Sequence, residues 1–238
     1  MKNLRWVWLA STLALLGYAF YQGMYVAPTE ATMGDIQRIF YYHFPSAMMT
    51  FLFFLISFVA SIVYLAARRN HPQRALSADA AALAGAEMGM VFCTAVLIQG
   101  PMWARPVWGI WWTWDARLTT TLVLWLIYAS YLLLRKFADG PQMQTLAAVV
   151  AIFGYVDVPI VYFSTRWWRT QHPSPVFAGG ANSGLDPAMW PAVWWNLAAW
   201  LAWGLLIGGW RYSVERRRQL AEQHAALYAL EASLEVTL

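Results

Sequence analysis

Cysteine is nearly absent from this 238-residue chain, which carries only Cys93. One thiol excludes a disulfide framework, a CxxC pair and a thiolate cluster within the chain, and leaves Cys93 to be read as a small core residue. Charge is scarce too: 16 Lys and Arg and 12 Asp and Glu make up 12% of the residues, against 60% hydrophobic and a mean hydropathy of +0.44. That balance excludes an ordinary soluble domain. Aromatic-basic patterning of the kind that binds nucleic acid is missing, as are internal repeats and low-complexity tracts. The apolar runs lack the alternation of barrel strands, so each run is expected to be a helix.

What is present is long apolar runs, and six are long enough to cross about 30 Å of hydrocarbon. They cover residues 6–26, 46–67, 76–98, 118–134, 144–163 and 192–210, the fourth being short. The expected fold is therefore an all-α polytopic membrane protein with six transmembrane helices. Eleven Lys and Arg, among them Arg68, Arg69, Arg135, Lys136 and Arg216 to Arg218, fall on one side of these spans. Five, Arg38, Arg105, Arg117, Arg166 and Arg169, fall on the other. The positive-inside rule then predicts cytoplasmic N- and C-termini. The first run reads as a retained helix: it is too long for a signal peptide, and Pro28 follows Ala27 where a cleavage site would be sought. Residues 1–210 form the transmembrane domain in this reading. Residues 211–238, rich in helix formers, form a cytoplasmic helical tail set against a partner or the lipid surface.

The inner loops are short turns. The outer segments, 27–45, 99–117 and 164–191, are longer, and the last contains Gly179 and Gly180. Binding surfaces are carried by loops on a rigid scaffold, so function is expected on this outer face. It holds the stretch "WGIWWTWDARLTT", residues 108–120. Tryptophan gathers at membrane interfaces, but an interfacial belt populates both sides. Here ten tryptophans are outer (Trp103, Trp108, Trp111, Trp112, Trp114, Trp167, Trp168, Trp190, Trp194, Trp195) and three are inner (Trp6, Trp8, Trp210). The asymmetry favours a platform for a large, flat, apolar ligand. A helix over 108–119 would put Trp108, Trp111, Trp112, Asp115 and Thr119 on one face and turn Trp114 and Arg117 away, toward the bilayer surface and a phosphate.

Of four histidines, His71 and His224 belong to the inner side. His43 and His172 lie in the two outer segments that flank the tryptophan-rich one. Together they suit a planar iron cofactor that takes one imidazole above and one below. Glu87, inside the third span, is costly in lipid and is expected to face protein, as a helix or subunit contact. Asp79 is placed near the inner end and Asp157 nearer the outer end, where water is close.

With "RIFYYHFPSA" upstream and "STRWWRTQHPS" downstream, the tryptophan-rich stretch resembles the CcmC family, the haem-handling proteins of bacterial and mitochondrial cytochrome c maturation. The resemblance covers about residues 5–210. It implies a multi-pass protein of the bacterial inner membrane that holds b-type haem transiently at the periplasmic face and supports its covalent transfer to the haem chaperone CcmE. It further implies partnership with the ABC transporter subunits CcmA and CcmB and the small membrane protein CcmD, besides membrane lipid. The implied axial ligands are His43 and His172. The signature falls on Trp108, Gly109, Trp111, Trp112, Trp114, Asp115, Arg117 and Thr119, with Arg38 upstream, and the arginines are candidates for clamping haem propionates. Asp115 is a candidate acceptor for a ligating imidazole. Such a protein is a delivery and attachment factor rather than a conventional enzyme. Two other classes stay open: a membrane oxidoreductase with permanent haem b, which usually needs histidines inside the spans, and a passive membrane subunit of an ABC transporter.

Overall fold

The structure, a computed structural model, describes residues 2–140, 142–177 and 184–235; Gly179 and Gly180 lie outside them. Helices α1 (Lys2–Tyr21), α2 (Phe40–Ala67), α3 (Pro72–Trp108), α4 (Ala116–Phe137), α5 (Met143–Tyr155), α6 (Asp157–Trp167) and α7 (Trp190–Glu235) follow in order. Among the described residues no β-strand is formed beyond one isolated bridge between Glu30 and Gly34. α5 and α6 are one rod interrupted at Val156. Pro159, in the first turn of α6, lacks the N–H that would otherwise reach the carbonyl of Tyr155.

Five stretches are long and apolar enough to cross a membrane: Asp35–Ala67, Pro72–Trp108, Ala116–Phe137, Met143–Trp167 and Pro187–Ser233. The first expected span, 6–26, forms helix α1, but its tryptophans, tyrosines and Arg5 dilute its hydropathy and it is not among the five. The fourth span was expected to be short. At 22 residues α4 is about 33 Å long, enough to cross. α3 was expected to end near residue 98, yet it runs through Pro101 and Pro106 to Trp108. It stops where Gly109 takes a positive φ of 76°, a conformation that suits glycine. Residues 110–115 are irregular, and α4 starts only at Ala116. A helix over 108–119, the condition for Trp108, Trp111, Trp112, Asp115 and Thr119 to share a face, is therefore not formed. A left-handed glycine breaks it and turns the tryptophan-rich segment back across the end of the bundle.

α2 and α3 form the closest pair, and small residues let them approach. A Cβ on Gly89 would lie 2.3 Å from Cδ1 of Phe54. Phe54 is fully buried and stacks on Tyr128 at 3.7 Å, so it has nowhere to go. Replacing Gly89 with Ala should cost about 1–3 kcal/mol of stability through overpacking. Thermal unfolding in detergent checks this, with Gly17→Ala as the control, since nothing lies within 4 Å of a Cβ there. Cys93 is fully buried in this core, as expected.

The far end of the bundle is held by charge. Arg135 of α4 pairs with Asp79 of α3 and, at 3.5 Å, with Glu215 of α7. Gln144 and Gln219 also donate to Asp79, at 3.3 and 3.0 Å. Glu87 meets Arg211 of α7 through two bonds of 2.6 and 2.7 Å, the helix contact expected of it. Asp157, expected close to water, is 8% exposed. α7 passes residue 210 without interruption, and Glu215 and Gln219 still pack on the bundle.

Candidate functional site

At the opposite end, α2, α3, α4, α6 and the connection 171–177 enclose a cavity of about 400 Å³, within the range of small-molecule pockets. His43 enters from the first turn of α2, held there by the packing of Phe40, Tyr41 and Phe44 beneath it. Its ring meets that of Trp103 edge-on at 6.0 Å, and its Nδ1 is buried without a hydrogen-bond partner. Gly100 faces it: a Cβ there would come 3.5 Å from Cε1 of His43.

His172 enters from the connection, so the two histidines, 129 residues apart in sequence, line one cavity. Nδ1 of His172 lies 2.8 Å from the Pro173 carbonyl. A carbonyl only accepts, so Nδ1 carries the proton and Nε2 keeps its lone pair. Burial, reinforced by the nearby Arg117 guanidinium, pushes the His172 pKa down to about 4. The imidazole is therefore neutral at physiological pH, the state in which it binds metal.

The remaining candidates separate into two groups. Trp108, Trp112 and Arg117 line the cavity. Arg117, which a helix over 108–119 would have turned away but which the family signature places among the cofactor-binding candidates, points in. It donates to the carbonyls of Val161 and Tyr162, at 3.0 and 3.3 Å, and makes no ion pair among the described residues. Its position follows from Asp115, whose side chain caps α4 by accepting from the Leu118 N–H at 3.0 Å and so fixes the first turn. Trp111 and Trp114 are 58% and 76% exposed and do not line the cavity. Arg38 is also elsewhere: it ties the turn after α1 to the start of α2 through Asp35, Thr29 and the carbonyls of Gly23 and Ala27. Asp115 was expected to accept from an imidazole. The Pro173 carbonyl does so instead, and the second oxygen of Asp115 takes the Thr170 hydroxyl.

Phe44 and Phe177 are lining residues that the sequence did not single out, and Trp103 stood out only as one of ten outer tryptophans. The signal for Trp103 was helical spacing: positions 93, 96, 97, 100, 104 and 107 form one stripe of α3, and Trp103 adjoins it. Seeing it required extending α3 past the prolines.

Chemically, the cavity offers two imidazoles, apolar and aromatic walls, and one guanidinium. The indole N–H groups of Trp103 and Trp112 are buried there without partners. Among the described residues no three His, Cys, Asp or Glu side chains converge. A metal meeting only this pair has to bring its remaining ligands with it, which a porphyrin does. The residues thus fit a flat metal-centred ligand with an acidic edge.

Fold and site together define a polytopic α-helical membrane protein with a two-imidazole, tryptophan-walled cavity at one end of its bundle. The chain belongs to the Heme exporter protein C (CcmC) family, whose model matches residues 1–225. It is 37% identical over 179 residues to the Heme exporter protein C of Bradyrhizobium diazoefficiens, covering 74% of this chain and 65% of that protein. It is 31% identical over 196 residues to the Heme exporter protein C of Escherichia coli strain K12, covering 82% and 76%. A putative cytochrome c biosynthesis ccmC-like mitochondrial protein of Marchantia polymorpha is 34% identical over 169 residues, covering 71% and 69%.

Proposed function

We propose that this protein binds haem in the two-imidazole cavity and presents it for cytochrome c maturation, supporting its covalent transfer to the haem chaperone CcmE. The observation that carries this reading is the convergence of His43 and His172 on one apolar cavity walled by Trp103, Trp108 and Trp112. Family membership and the relatives' name, Heme exporter protein C, support it. Haem, b-type and transiently held, is cargo here. His43 and His172 hold its iron through neutral nitrogens, the indoles cover its faces, and Arg117 faces its acidic edge. The ABC transporter subunits CcmA and CcmB and the small protein CcmD are the proposed partners. In this reading α1 completes six spans of the bacterial inner membrane, the cavity is periplasmic, and the termini and the tail beyond residue 210 are cytoplasmic.

Two measurements test the reading. The protein purified in detergent should carry low-spin haem, released to CcmE when that chaperone is supplied; haem that is neither bound nor passed on defeats it. Reporter fusions after Arg69, Lys136 and Arg218 should read cytoplasmic, and those near Pro28 and Pro106 periplasmic. Within the site, which indole lines the cavity predicts a split. Trp112→Ala should speed haem loss by removing part of the cavity wall, while Trp111→Ala, outside the cavity, should leave retention within about twofold of the parent. Equal loss from both would favour general destabilisation.

A further inference from the structure

His43 stands on a helix, but His172 stands on a connection that forms no helix among its described residues between Trp167 and Pro187. A metal ligand on a loop needs support from a rigid element to keep its geometry. The geometry points to Thr170 as the residue that positions His172, with Asp115 as its anchor on α4; this rests on the reading of His172 as a haem ligand.

Three hydrogen bonds carry the inference. Asp115 Oδ1 accepts the Leu118 N–H at 3.0 Å, locking the carboxylate to the start of α4. Asp115 Oδ2 accepts the Thr170 hydroxyl at 2.7 Å. Thr170 Oγ1 in turn accepts the His172 backbone N–H at 3.0 Å. The polarity has no alternative. A carboxylate cannot donate and a backbone N–H cannot accept, so the one hydroxyl proton goes to Asp115 and the hydroxyl lone pair to His172. The turn from Thr170 to His172 is local and common in loops. Its bond to a helix-anchored carboxylate 55 residues away is not local, and it turns a floating turn into a fixed one.

The consequence is a division of work on His172. The Pro173 carbonyl sets the ring's tautomer and rotation, and Thr170 sets where the backbone carries the ring. Asp115 closes the tryptophan-rich segment, so the same carboxylate fixes that segment's exit and the position of the second ligand. Asp115 thus serves the site through Thr170, without touching iron or ring.

Thr170→Val removes the hydroxyl at constant size, and Thr170→Ser keeps it. In the haem-free protein, hydrogen exchange across residues 171–177 should rise about tenfold in the Val variant and stay near the parent in the Ser variant, the size expected for losing a charge-assisted bond. In the haem-loaded protein, Thr170→Val should lose haem about tenfold faster and show a partly high-spin spectrum that added imidazole restores. Should Thr170→Val fail to accumulate, Thr170→Ala replaces it, since it also removes the hydroxyl and leaves Asp115 to cap α4. Unchanged exchange and unchanged haem loss in these variants overturn the positioning role, and so does faster exchange with an unaltered haem spectrum. His172→Ala separates the two claims. If it leaves the haem spectrum intact, the ligand reading itself is lost; if it alters the spectrum while Thr170→Val does not, only the positioning role is lost.

Discussion

Replacing His43 and His172 together with alanine should abolish the low-spin haem spectrum of the purified protein, and either single replacement should leave haem high-spin and weakly held. The two rings line one cavity from different elements, so each single variant removes one of the two proposed axial ligands and leaves the other in place. Substitutions of residues that merely orient a metal ligand cost about 10- to 100-fold in affinity, so removing a ligand itself should exceed that. Changing His71 or His224, which lie at the opposite end of the bundle, should do neither. The pH dependence follows from the low pKa of His172. A proton competes with iron only where the folded protein's imidazole accepts one, below its pKa of about 4. Haem retention should therefore stay level as pH falls from 7 to about 5, where an ordinary histidine is already largely protonated, and drop as pH nears 4. A fall centred near pH 6.5 would show that His172 is not held as the structure has it. A double variant that keeps its bis-imidazole spectrum, with no histidine supplied by another chain, would sink the ligand assignment.

The histidine pair was legible because the chain has only four histidines and charge bias alone sorts them to two sides. Two residues of the tryptophan-rich segment, Trp108 and Trp112, do line the cavity, but the segment's shape was not legible. Spacing placed Trp108, Trp111 and Trp112 on one helical face, whereas Gly109 at positive φ ends α3 and sends Trp111 and Trp112 to different surroundings. A glycine inside an apolar run carries no periodic signal of that turn. Among the five outer arginines, composition could not rank Arg117 over Arg38. The difference lies in which element each one closes. Arg117 sits in the first turn of a capped helix that faces the cavity, and Arg38 is consumed by four bonds within its own neighbourhood.

The end of the bundle away from the cavity was less legible still, because its contacts join residues far apart. Asp79 and Arg135 are 56 positions apart and Arg135 and Glu215 are 80 apart, beyond the reach of any local pattern. Arg135→Ala is expected to be the most damaging single change at that end. The side chains of Arg135, Asp79 and Glu215 are 4%, 4% and 6% exposed, so removing the guanidinium leaves the buried Asp79 without a cation and Glu215 with only the half-exposed Arg218. Breaking a buried pair in this way typically costs about 3–5 kcal/mol. Arg218 offers the contrast. It also pairs with Glu215, but its side chain is 52% exposed, and Arg218→Ala should cost about 0–1 kcal/mol. The yield of folded protein and its thermal midpoint in detergent read both. Replacing Asp79, Arg135 and Glu215 jointly with apolar residues of similar volume should recover much of the loss, because no uncompensated charge then remains. Haem-binding spectra of whatever Arg135→Ala protein does fold should match the parent, since the cavity lies at the other end of α3 and α4. Equal tolerance of Arg135→Ala and Arg218→Ala would mean that α3, α4 and α7 are fastened by their apolar contacts alone.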